Sequence, residues 1–136
     1  MCIRQLKVAF NDCLRLLSSK QRQDHEPIKY MLEDLGWMSI NQLCAETRLL
    51  EAWKIVNTED YCLKESVPLK KRAQYTATRS NDTTLLELGP PDKFANCRFA
   101  HKTAQLWNEA PKEIKNETKL TTARSLIREF CLTLPT

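Results

Sequence analysis

Glu33-Asp34 and Glu59-Asp60 are the carboxylate pairs on which a two-metal phosphoryl-transfer centre would draw. Such a centre needs carboxylates converging on ions about 4 Å apart. Adjacent helical residues do not face one direction, and both pairs fall near expected helix ends, so they read as solvated acids. No two aspartates are adjacent anywhere in the chain. Cys97 and His101 are four apart, the spacing that puts two metal ligands on one helical face, but two ligands do not close a structural site. Drawn instead as a thiol and its base, the pair has no third group to orient it. His25 lies in a polar stretch and is expected in solvent. No catalytic residue, metal or cofactor is therefore expected. Trp37, Trp53 and Trp107 are of the type that stacks on bases. Trp53 and Trp107 lie on apolar stripes and are expected in the core, whereas Trp37 follows the Gly36 turn and is open to either reading.

The positive signal is charge. From Lys64 to Arg79, five cations (Lys64, Lys70, Lys71, Arg72 and Arg79) stand against Glu65 alone, which accounts for the whole net charge of +4. Pro68-Leu69-Lys70-Lys71-Arg72 suits phosphate contacts or a nuclear import sequence, and equally a solvated loop. Lys70, Lys71, Arg72 and Arg79, with Arg98 and Lys102 behind them, are the candidate nucleic-acid contacts.

Composition narrows the classes. The chain has 136 residues, of which 42% are hydrophobic and two are glycine. Having only Gly36 and Gly89 leaves no dinucleotide-binding or phosphate-binding glycine loop, and no Asn-Gly or Asp-Gly hairpin turn, which counts against an all-β fold. Apolar runs reach only three residues, as in Val8-Ala9-Phe10, so neither a membrane span nor a secretory leader is expected. An intracellular location, nuclear or cytoplasmic, follows as the expectation. The six widely spaced cysteines are then expected to be reduced, with Cys13, Cys44 and Cys131 acting as small buried hydrophobes.

These residues must be positioned by helices. Ile3, Leu6, Phe10, Cys13, Leu14 and Leu17 recur at spacings of three and four, which predicts an N-terminal helix that ends in the polar run from Ser18 to Asp24. A short helix is expected from about Glu26 to Leu35, with Pro27 in its first turn and Gly36 in the left-handed position after it. Ser39 and Gln42 form a capping-box pattern that opens a third helix. It runs to about Asn57, carries Ile40, Leu43, Cys44, Leu50, Trp53, Ile55 and Val56, and is expected to be the most buried. Pro68, Pro90, Pro91 and the basic cluster mark a connector with little core of its own, leaving room for short β pairing around Tyr75–Thr78 and Thr84–Leu88. Helical spacing resumes at Phe99, Thr103, Leu106 and Trp107 and stops before Pro111. A last helix begins near Thr121 and shows Leu126, Ile127, Phe130 and Leu134. The fold expected is mainly α, with about five helices in two groups: residues 1–63, a basic proline-containing connector over 64–93, and residues 94–136.

Three passages together resemble the C-terminal end of the reverse transcriptases of jockey-like non-LTR retrotransposons. They are LKVAFNDCLRLL (Leu6 to Leu17), LGWMSINQL (Leu35 to Leu43) and the segment from Phe94 to Pro135. The family has an asparagine-acid-x-x-arginine helix after the polymerase palm, here Asn11 to Arg15, and a leucine-glycine-hydrophobic turn, here Leu35-Gly36-Trp37. Its alanine-x-leucine-tryptophan-asparagine-x-x-proline segment is Ala104 to Pro111. The family's aromatic-x-Asp-Asp palm motif does not occur, so the resemblance implies a thumb-side fragment without catalysis, whose fingers and palm would lie upstream of Met1. The expected function is weak, sequence-independent binding to the phosphate backbone of an RNA–DNA or DNA duplex. The expected partners are that duplex and the missing fingers and palm of the parent polymerase, with no small-molecule substrate. The alternative is a helical protein-interaction module or an inert remnant of a mobile element.

Overall fold

The computed structural model describes residues 3–67, 69, 71, 84–88 and 98–136. Within them the chain is mainly helical: α1 (Ile3–Leu17), a 3-10 turn (Arg22–Asp24), α2 (Ile28–Leu35), α3 (Ile40–Asn57), α4 (Phe99–Glu109), α5 (Lys112–Asn116) and α6 (Leu120–Thr133). The only β pairing among the described residues is an isolated antiparallel bridge between Lys71 and Leu86. It falls inside the Thr84–Leu88 stretch, while Tyr75–Thr78 lies outside the described residues.

The chain forms two compact units, residues 1–44 with 134–136, and residues 45–133. The first is built on α1 and α2, which pack on each other, and on the start of α3. Leu14, Met31, Leu32 and Met38 are its buried hydrophobic side chains. α2 ends in a Schellman motif: the Gly36 amide donates to the Glu33 carbonyl and the Trp37 amide to the Leu32 carbonyl. Gly36 has the φ of 63° that this closure needs. Pro27 departs from expectation by preceding α2 as its N-cap, with an extended ψ of 134°, instead of sitting in the first turn. The capping box forms as read. The Ser39 amide donates to Gln42 Oε1 at 2.9 Å, and the Gln42 amide to Ser39 Oγ at 3.2 Å. Gln42 also donates from Nε2 to the Leu134 carbonyl at 3.0 Å, which holds the chain's last residues on this unit.

The apolar stripe read along α1 is not its buried face. Only Leu14 is buried on this helix, whereas Ile3, Leu6 and Leu17 are 52%, 42% and 58% exposed and Cys13 is also exposed. Leu14 is the buried position, and Lys7, Phe10 and Asn11 beside it are half-buried.

The second unit takes α3 from Ala45 onward together with α4, α5 and α6. Leu49, Ala52, Trp53, Ile55, Ala104, Trp107, Ile114, Ala123, Ile127 and Cys131 are among its buried side chains. Trp53 and Trp107 are in the core as read. On α3, by contrast, Leu43 is exposed, and the small residues Ala45 and Ala52 take buried positions instead. Arg124 and Arg128 are exposed on α6, with Arg128 Nη1 lying 3.7 Å from Glu46 Oε1. No helix is long and apolar enough to cross a membrane among the described residues.

Candidate nucleic-acid interface

Helix α4 organises the described part of the basic region. It begins at Arg98, its N-cap, and Lys102 follows one turn later, its amide closing on the Arg98 carbonyl at 3.2 Å. Both side chains are exposed, and four residues apart they share one face. The first turn carries no acid.

The other end of α4 holds the connector. Asn108 pairs with Leu86 as a neighbouring strand would: Leu86 N–H donates to Asn108 Oδ1 at 2.8 Å, and Asn108 Nδ2 donates to the Leu86 carbonyl at 3.0 Å. Trp107, buried to 1% exposure, donates from its indole nitrogen to the Thr84 carbonyl at 2.9 Å. Leu86 is itself fully buried, and it makes the bridge to exposed Lys71. Past the helix, Lys115 Nζ donates to the Asn108 carbonyl at 2.9 Å, satisfying one of the carbonyls left free where α4 ends. Pro111 then caps α5. Four of the five defining residues of the Ala104-to-Pro111 signature therefore have a mechanical task. Ala104 packs in the core, Trp107 and Asn108 anchor residues 84–86, and Pro111 turns the chain.

Of the six candidate contacts, Lys71, Arg98 and Lys102 are exposed within this unit. Lys70, Arg72 and Arg79 lie outside the described residues, as does Cys97. Its proposed partner His101 is half-buried on α4. No group of three or more metal-ligating side chains is present among the described residues.

Sequence reasoning did not find the role of Asn108. Its signal was present as an amide-bearing residue next to a core tryptophan, at a position where a helix end commonly carries a charge. The thiols divide more sharply than their shared placement on apolar stripes implied. Cys131 is fully buried, and that burial pushes its pKa up to about 11, so it is an inert packing residue. Cys44 is half-buried, and Cys13 corrects the expectation by facing solvent. At the end of α3, Glu51 accepts hydrogen bonds from Tyr61 Oη and, at 2.9 Å, from Lys54 Nζ. The Tyr61 hydroxyl leads the causes that hold the Glu51 carboxyl below its ordinary range. This arrangement ties the segment after Asn57 back onto α3.

Compared with protein-family models, curated proteins and solved structures, the chain matches none.

Proposed function

We propose that this chain is the non-catalytic, helical C-terminal region of a retrotransposon RNA-directed DNA polymerase, and that it holds a duplex through its phosphates without reading sequence. The observation that supports this best is the mounting of the cations along α4. Arg98 and Lys102 stand at the helix start, and Lys71 is joined through the Leu86 bridge to Asn108 near the helix end. Ten residues of helix separate Arg98 from Asn108, roughly 15 Å, which along a duplex axis is about four base-pair steps. Cations mounted on a helix and on a segment pinned to it keep their spacing, whereas cations on a solvated loop do not. Phosphate contacts of this type position a protein and carry no sequence information.

The test is fluorescence anisotropy with an RNA–DNA hybrid at rising salt. Four phosphates neutralised by Lys70, Lys71, Arg72 and Arg79 give a log–log slope near −3.6, roughly a hundredfold loss between 50 and 200 mM salt, and Arg98 and Lys102 each steepen it by about 0.9 where they also reach a phosphate. Affinity is expected at a dissociation constant on the order of 10⁻⁴ to 10⁻⁶ M. Replacing Lys70, Lys71 and Arg72 together by Glu abolishes binding. Absence of binding at the lowest salt, or binding that survives the triple replacement with its slope intact, overturns the proposal.

A second reading, a helical protein-interaction module, is favoured by a different observation. The apolar stripe Ile3, Leu6 and Leu17 lies exposed along α1, as it would if a partner domain covered it.

A further inference from the structure

The first unit contains a cleft of about 260 Å³ between α1, α2 and the start of α3. Its wall is of mixed chemistry. Leu32 and Ile40 give it an apolar floor, Phe10 an aromatic face, Asn11 and Asn41 two carboxamides, and Lys7 an ammonium. The α1 contribution follows from spacing, because Lys7, Phe10 and Asn11 are three and four apart and fall on neighbouring positions of one face. Lys7 and Asn11 are half-buried at the cleft, beside half-buried Phe10 and one turn from buried Leu14. The Lys7 ammonium and the Asn11 side chain make no hydrogen bond or ion pair to any described residue. Asn41 uses Nδ2 to donate to the Thr136 carbonyl at 3.1 Å, which fixes its plane and leaves its carbonyl oxygen as an acceptor. Phe10 is braced by Trp37, their ring centroids 6.4 Å apart and their planes tilted by 34°.

We propose that this cleft binds a nucleotide, with the base against Phe10, its polar edge on Asn11 and Asn41, and its phosphate on Lys7. Aromatic faces take bases by stacking. A side-chain carboxamide matches the donor–acceptor edge of adenine bidentately, and a lysine meets phosphate as a point charge. The volume is just under the roughly 300 Å³ at which sites for drug-sized ligands begin, which suits one nucleotide and not a folded peptide. The site is built by residues of the first unit alone and does not depend on the duplex reading. The nucleotide arrives free or as one residue of a single strand.

The experiment is amide chemical-shift mapping of the full chain with adenosine 5′-monophosphate, adenosine, ribose 5-phosphate and a hexameric oligo(A). Adenosine monophosphate is expected to shift the amides of residues 7–11 and 40–42, with a dissociation constant on the order of 10 to 100 μM. Adenosine and ribose 5-phosphate, each lacking one half of the recognition, bind at least about tenfold more weakly. Lys7→Met weakens adenosine monophosphate by about tenfold and leaves adenosine unchanged. Asn11→Leu weakens both. Tighter binding of the hexamer assigns the site to a strand, and equal binding assigns it to the free nucleotide. The Lys70, Lys71 and Arg72 replacement leaves adenosine monophosphate binding unchanged, which separates this site from the duplex surface. The proposal is overturned if residues 7–11 and 40–42 show no shifts at about 1 mM nucleotide. It is equally overturned if Lys7→Met, with its circular dichroism unaltered, binds adenosine monophosphate as well as the parent chain does.

Discussion

A single carboxamide decides how the basic connector is attached. Asn108 satisfies both backbone polar groups of Leu86, and a buried backbone group left without a partner costs about 1–3 kcal/mol. Asn108→Leu keeps the helix, since leucine is a stronger helix former than asparagine. It removes both bonds, so a loss of about 1–3 kcal/mol in urea unfolding is expected. Hydrogen exchange at the Leu86 amide should quicken together with that loss. Protection at Leu86 unchanged in the variant would show that the burial of its side chain alone holds the segment. Trp107 was legible in the sequence as core because its neighbours repeat at helical spacing. The task of Asn108 was not, because its partner is a backbone 22 residues away and backbone groups leave no mark in a sequence.

At the scale of elements, local chemistry was legible and orientation was not. Gly36 and the Ser39–Gln42 box announced the end of α2 and the start of α3, because caps act over a few residues and need specific types. Helix α5 went unseen because five residues between Pro111 and Glu117 hold one apolar side chain, Ile114, and one point defines no period. The stripe on α1 was read correctly as a stripe and placed on the wrong side, since periodicity gives a face and not its direction. The end of α1 falls at Leu17, just before the polar run from Ser18 that announces it, but the backbone closure that makes it was not legible. Ser19 has φ 54° and sits where Lys20 and Ser19 close on the Arg15 and Leu16 carbonyls, the same closure that Gly36 gives α2, without the glycine. Left-handed backbone costs a side-chain-bearing residue roughly 1–2 kcal/mol. Ser19→Gly is therefore expected to stabilise the fold by about 0.5–1 kcal/mol, after glycine's larger unfolded-state entropy is subtracted. Gly36→Ala is expected to destabilise it by about 1 kcal/mol through backbone strain alone, because an added Cβ meets nothing within 4 Å. Thermal or urea unfolding of the two variants checks the opposite signs. A Ser19→Gly variant less stable than its parent would mean that the serine is held by something other than its backbone.

At the scale of the whole molecule, charge and apolar surface are unevenly spread. The connector carries the net positive charge, and α1 carries a line of exposed apolar side chains about 20 Å long. Scattered exposed leucines are ordinary on a protein surface, whereas a contiguous line of them marks a contact surface or a liability to associate. In α1 the line runs through Ile3, Leu6, half-buried Phe10, Cys13 and Leu17 at spacings of three and four on one helical face. The interaction-module reading therefore predicts that the isolated chain associates with itself through α1. Leu6→Lys together with Leu17→Lys should abolish that association, as measured by sedimentation equilibrium. Folding stability should change by no more than about 0.5 kcal/mol per site, because both side chains are exposed and α1 keeps Leu14 as its buried anchor. Salt separates this from association driven by charge. Contact through the stripe persists or strengthens as salt rises, while contact through the basic connector weakens. A double variant that still associates, with the association lost at high salt, would move the contact from α1 to the connector and remove the observation on which the interaction-module reading stands.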